Sequence, residues 1–169
     1  VDSGFLDRFS SPRSVAVIGA SATIGKSGNV VIRNILANDY AGKIYLVNPK
    51  GGEILGMPVQ PSIVSLPDGI DLAIVVLPAK ETPQALRECA GKGIKHVVLL
   101  AGGFAEVDEY GAEIQQEMID IIRETGIRVI GPNTSGHTST PHQFTSSLFP
   151  LGKIRRGKVS YLAQTGNFA

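Results

Sequence analysis

Gly19, Gly25 and Gly28, with Ser21, Thr23 and Lys26 between them, follow the apolar run Val15-Ala-Val-Ile18 and precede the periodic run from Val30 to Leu36. A strand, a glycine-rich turn and a helix in that order direct backbone N–H groups into the crevice, and the helix dipole favours an anion there. Glycine admits a close approach because it has no Cβ. The Ser21 hydroxyl is better suited to donate to a phosphate oxygen than to attack an ester. The same glycines could do no more than tighten an α/β connection, and their spacing is not the dinucleotide pattern Gly-x-Gly-x-x-Gly.

Asn48-Pro49-Lys50 ends the next strand-like run, Lys43 to Val47. A nicotinamide dinucleotide site places Asp or Glu there to hold the ribose diol. Lys50 would instead attract a ribose phosphate, or be an ordinary surface lysine. Other chemistries fit poorly. His137 and His142 have no Cys nearby and no evident carboxylate partner, where zinc needs three or four protein ligands. Ser21 does not sit in a Gly-x-Ser-x-Gly elbow. Gly25-Lys26-Ser27 resembles the tail of an ATP-binding Walker loop, but Gly19 is misplaced for it. Glu106 follows Gly102-Gly103-Phe104 and could cap the next helix or act on a substrate. Gly131-Pro132-Asn133 makes an abrupt turn whose Asn side chain could bridge backbone or touch a ligand.

These residues need a scaffold. Strands are expected at 14–18, 43–47, 71–77, 95–100 and 127–130, with helices at about 28–38, 81–91 and 109–125, and one helical turn at 62–66. Gly126 is placed to end the last helix. Phe5 to Phe9 form an amphipathic lead-in packed across the sheet's edge, and Gly56 to Val59 a short extended crossing. The alternation predicts an α/β fold, a doubly wound and mostly parallel sheet covered on both faces. Ligands of such sheets bind beyond the carboxyl ends of the strands. Every unusual loop above falls on that edge.

Residues 1–133 read as the binding domain, 134–157 as an irregular connecting segment, and 158–169 as a last strand or the truncated start of a second α/β domain. The chain starts with Val and stops just after a strand-like run, as if processed or cut from something longer. Its 169 residues are 43% hydrophobic with a formal charge of +1, which gives no electrostatic reason to expect nucleic acid or a membrane surface as partner. Cys89 is the only cysteine and reads as core, so an intrachain disulfide is excluded. No signal peptide and no apolar run near twenty residues are present, so a soluble, cytoplasmic protein is expected.

Ser14-Val-Ala-Val-Ile-Gly-Ala-Ser21, Val47-Asn-Pro-Lys50, Ala101-Gly-Gly-Phe-Ala-Glu106, Gly131-Pro-Asn-Thr-Ser-Gly136 and Ala163-Gln-Thr-Gly166, in this order and spacing, resemble one family: the coenzyme A-binding domain of the nucleoside-diphosphate-forming acyl-CoA synthetases. That group includes the succinyl-CoA synthetase α subunit and the ADP-forming acetyl-CoA synthetases. Thr134 and Ala163 stand where many relatives have Cys and Ser.

The resemblance implies a Rossmann-like domain that binds CoA. Gly19, Ser21, Thr23, Gly25, Lys26 and Gly28 would hold the diphosphate, with Asn48, Pro49 and Lys50 near the ribose phosphate. Val76, Leu77 and Pro78 would border the nucleotide and pantetheine, Gly102, Gly103 and Phe104 would line the route of the thiol arm, and Asn133 would close the reacting end. It implies further partners: a following phosphohistidine domain and an ATP-grasp subunit or domain. The parent reaction would be acyl-CoA + ADP + Pi to acid + CoA + ATP, with this portion binding CoA without turnover. A CoA- or nucleotide-sensing module, the CoA-binding part of a protein acetyltransferase fusion, and an NAD-binding oxidoreductase domain are the alternatives.

Overall fold

Val15, Val17, Leu72, Ile74 and Val98 pack on one face of a sheet, and Ala16, Ile18, Ala73, Val75, Val97 and Leu99 on the other. The two-residue period of extended chain requires this division, and runs apolar at every position suit strands buried on both sides. The computed structural model describes residues 4–163, except for the side chain of Phe5.

The elements in chain order are α1 (Gly4–Ser10), β1 (Ser14–Ile18), α2 (Ser27–Ala37), β2 (Lys43–Val47), β3 (Glu53–Ile54), β4 (Met57–Gln60), β5 (Leu72–Val75), α3 (Thr82–Gly91), β6 (His96–Leu99), α4 (Glu109–Thr125), β7 (Arg128–Ile130), β8 (Thr138–Ser139) and β9 (Phe144–Thr145). The main sheet has seven strands in the order β3-β4-β2-β1-β5-β6-β7. Only β3 runs antiparallel to its neighbour. The expected doubly wound, mostly parallel α/β fold is therefore present, with β1 central. One core holds α3 and α4 residues such as Leu86, Cys89, Ile114 and Met118; the other holds Val31, Ile32 and Ile35 of α2, with Phe9 and Phe144. Burial raises the Cys89 thiol to about 12, so it packs as an uncharged core group.

Four local expectations need correction. The crossing at residues 56–59 is β4, a strand paired in parallel with β2 through Leu46–Val59 and Val47–Gln60, and it turns from the short β3. Pro58 does not forbid this, because proline is tolerated in strands near a sheet edge. Residues 62–66 form turns closed by Ser65 N to Ser62 O and Leu66 N to Ile63 O, not a helical turn. The segment expected to be irregular carries the β8–β9 hairpin, with Thr138 opposite Thr145 and Ser139 opposite Phe144. Strands of two residues are too short to show a period.

Val159 to Ala163, read as a strand, adopts no regular structure, with Val159 91% and Leu162 98% exposed. A strand is stabilised by a laddered neighbour, and no strand pairing among the described residues includes this run. Gln164, Thr165 and Gly166 lie outside the described residues.

The lead-in works as expected but is held by charge as well as by Phe9. Arg8 pairs with Asp71 at the start of β5, and the same carboxylate accepts from the Arg13 backbone N–H at 2.8 Å. Asp71 therefore anchors the chain's opening at the amino edge of the sheet, away from the loops expected to bind.

Candidate functional site

Three chain segments pinch together where β1 ends. Gly19 adopts φ +92°, and a Cβ there would stand 2.5 Å from the Val76 carbonyl oxygen. A Cβ on Gly28 would stand 2.1 Å from the Gly19 carbonyl oxygen. Neither position has room for another residue, so the helix start lies directly on the strand end. The Gly19 and Ala20 N–H groups donate to the Val47 carbonyl at 3.0 and 3.1 Å, which ties the loop to β2.

The loop is braced from within by side chains that sequence reasoning passed over or read differently. Asn29, 1% exposed in the first turn of α2, donates to the Ser21 carbonyl at 3.0 Å and accepts from Arg33 Nε at 2.9 Å. Asn48 donates to the Ala20 carbonyl at 2.8 Å while its Oδ1 accepts from the Lys50 N–H at 2.9 Å. Asn48 thus joins the glycine loop to the Lys50 turn, and both ends of its amide are engaged inside the protein. Ser21 Oγ accepts from the Thr23 N–H at 3.1 Å, a local turn that leaves the hydroxyl proton available.

The N-terminus of α2 is chemically incomplete. A helix leaves its first N–H groups without partners, and Ser, Thr, Asp or Asn at the cap normally accepts from one. Here Lys26 occupies the cap position, forms no side-chain cap hydrogen bond, and no acidic residue stands in the first turn. Ser27, Gly25 and Lys26 are exposed. By contrast α4 is complete: Asp108 Oδ1 accepts from the Gly111 N–H at 2.7 Å, and Gly126 takes the left-handed conformation at the other end, as expected.

A cleft of about 410 Å³ opens over this helix start. It brings together Gly19, Ser21, Gly25, Lys26, Gly28, Val76, Leu77 and Pro78 from the expected residues, and adds Ser27, Leu100, Ala101 and Leu148. Thr23, Asn48, Pro49, Lys50, Gly102, Gly103, Phe104 and Asn133 do not line it. Lys50 is exposed on the neighbouring turn, and among the described residues no carboxylate pairs with it or with Lys26.

The 102–106 loop differs from expectation. Phe104 is fully buried between α4 and the sheet, so its side chain cannot line a ligand's route. Glu106 does not cap α4. Its carboxylate accepts from the Gly103 N–H at 2.8 Å and the Phe104 N–H at 3.2 Å, while Gln115 Oε1 accepts from the Ala105 N–H at 3.3 Å. The Gly103 hydrogen bond leads the causes that hold the Glu106 carboxyl below its usual range. Three successive amides that could have gripped an anion are thus already taken. Asn133, at φ +53°, donates its N–H to Ala101 at 2.9 Å and brings its Oδ1 beside Gly102.

The histidines serve structure. His137, half-buried, donates from Nε2 to the Phe9 carbonyl at 2.7 Å, so its bare Nδ1 accepts from Ser146 Oγ at 2.8 Å. His142 pairs with Ser139, and His96 meets the Phe9 ring edge-on.

Comparison with known proteins agrees with this geometry. Residues 13–139 match the family model described as the CoA binding domain. The chain belongs to that family. A CoA-binding domain of this kind forms part of longer ligases to which the chain is homologous. It is 45% identical over 157 residues to an ADP-forming acetate–CoA ligase II of Archaeoglobus fulgidus, covering 93% of this chain and 23% of that protein. It is 39% identical over 165 residues to the α subunit of an ADP-forming acetate–CoA ligase I of Pyrococcus furiosus, covering 95% and 36%. The chain therefore spans about a quarter to a third of the length of these relatives. A crystal structure from Pyrococcus horikoshii OT3 superposes with a TM-score of 0.87 at 36% identity, over 96% of this chain and 37% of that one. No helix among the described residues is long and apolar enough to cross a membrane.

Proposed function

We propose that this CoA-binding domain holds coenzyme A across the carboxyl edge of its sheet, as the CoA-binding part of an ADP- or other NDP-forming acyl-CoA synthetase. The α2 N-terminus carries the reading: a helix start with no side-chain cap of its own, at the floor of a cleft, with Lys26 in its lining and Lys50 on the neighbouring turn, neither paired with a carboxylate among the described residues. An anionic diphosphate supplies the missing acceptor and meets the positive end of the dipole. Lys50, held by Asn48 beside the glycine loop, faces the ribose phosphate, and the end of β2 offers no acid to grip an unsubstituted diol. The apolar part of the cleft, from Val76 to Pro78 and Leu100, takes the uncharged remainder.

The chain by itself binds and does not turn over. Acyl and phosphoryl transfer belong to the phosphohistidine domain and ATP-grasp partner of the parent enzyme, and no histidine here stands at the cleft.

Titration calorimetry with CoA and dephospho-CoA tests this. CoA binds more tightly to the unmodified chain by about tenfold, of the size expected for one charge-assisted contact. Lys50→Ala abolishes the difference. Equal affinities for the two ligands before mutation would remove Lys50 from the site.

A further inference from the structure

One wall of the cleft comes from a segment that strand–helix alternation does not call for. After β9 the chain runs along α2 from Ser146 to Ile154, half-burying Leu148 against the same core as Val76 and Ile130 and placing it in the cleft. This strap has no sheet ladder. Two asparagines one turn apart, Asn34 on α2 and Asn38 at its C-cap, take its place. Asn34, 3% exposed, donates to the Ser147 and Phe149 carbonyls at 2.9 and 2.6 Å and accepts from the Leu151 N–H at 3.2 Å. Asn38, 6% exposed, donates to the Gly152 carbonyl at 2.8 Å and accepts from the Ile154 N–H at 2.9 Å.

Buried amides on the inner stripe of a helix are costly unless every polar atom is satisfied. These are satisfied mainly by the strap, from the residue before Leu148 to the sixth after it. The opposite limb holds the start of the strap, through the Leu148 N–H to the Ser135 carbonyl at 3.3 Å, the Ser146 N–H to the His137 carbonyl at 2.9 Å and the His137 N–H to Ser146 Oγ at 3.0 Å. The position of Leu148 is therefore set by α2, the helix whose first turn floors the cleft. Ser21, Lys26 and Ser27 bring charged and polar groups to that cleft, while Val76, Leu77, Leu100 and Leu148 supply apolar surface.

Resting on the CoA reading above, we propose that Leu148 is a binding residue for the uncharged, thiol-bearing arm of the ligand, and that Asn34 and Asn38 are positioning residues that hold it there. The strap matches the cleft to a ligand with an anionic head and a largely uncharged, methyl-bearing arm.

The test compares CoA with its nucleotide half, 3′-phospho-ADP, by calorimetry on the full chain. Leu148→Ala weakens CoA about five- to tenfold, the loss of one partly buried aliphatic side chain, and leaves 3′-phospho-ADP within about twofold. Asn34→Ala gives the same arm-specific loss, whereas a general loosening of the fold would weaken both ligands alike. Leu148→Met, of similar volume, retains affinity and serves if Asn34→Ala does not fold. Unchanged CoA binding in Leu148→Ala, or equal losses for both ligands, overturns the proposal while the CoA reading stands. A parent chain that binds neither ligand overturns both.

Discussion

At Gly28 the space for a side chain is already filled by the Gly19 carbonyl, 2.1 Å from where a Cβ would lie. The nearest atoms, from Gly19 and Ala20, all belong to backbone, so a methyl group can be admitted only by moving α2 away from β1. Gly28→Ala is expected to destabilise the fold by about 1–3 kcal/mol, the range for overpacking, measured by chemical denaturation. It also carries the first-turn amides off the cleft, so CoA binding falls by more than the stability loss accounts for. Val76, whose N–H donates to Ile18 at 2.8 Å, is the third member of this contact. The glycine pattern was legible from the residues, but which backbone atoms approach each glycine was not, because Val76 lies far along the chain.

At the scale of elements, α2 and α4 make a contrast within one molecule. Asp108 and Gly126 close α4 with the chain's own groups, while Lys26 leaves α2 open at the cleft. Lys26 has the extended conformation of a capping residue, φ −71° and ψ 142°, so an acid there could accept from the helix without strain. Lys26→Asp is expected to raise stability by about 1 kcal/mol, the usual gain from a side-chain cap. It lowers CoA affinity by at least about tenfold, since a carboxylate then fills the anion's place. Thermal melts and titrations on one preparation check both signs. A variant that gains stability and keeps its affinity places the diphosphate elsewhere. The 102–106 loop shows the same physics with the opposite outcome, since Glu106 already plays the anion for Gly103 and Phe104.

Across the whole molecule, residues 128 apart in sequence meet at His137. It joins the Phe9 carbonyl of α1 to Ser146 of the strap, and its ring packs against Phe9 and Phe144. Burial holds this imidazole below its ordinary 6.5, and His96, beside Phe9 and Arg8, is lowered chiefly by burial too. The folded protein therefore binds these protons later than the unfolded chain as pH falls. Their contribution is full above about pH 7 and is lost progressively as pH drops below 6.5 through the folded values. Denaturation midpoints measured from pH 8 to 5 should fall on the acid side, and His137→Gln should flatten that slope. A slope unchanged by the substitution assigns the acid sensitivity to other groups.

What the amino-acid order determined alone was local and periodic. Apolar β-branched runs at 15–18, 72–75 and 97–99, the helical stripe from Ile114 to Ile121, and the stop at Gly126 needed only neighbouring residues to be read. The glycine loop and the carboxyl edge followed from them, because parallel strands joined by helices all end on one side. Tertiary structure decided whatever depends on partners distant along the chain. It made β4 a strand by offering β2 as its neighbour, withdrew the Phe104 side chain into the core, and turned Asn48 into an internal brace. It also brought Leu148 to the cleft by way of Asn34 and Asn38, more than a hundred residues earlier. Hydrogen bonds between such distant groups leave no period in a sequence; only the folded chain brings their donors and acceptors within reach.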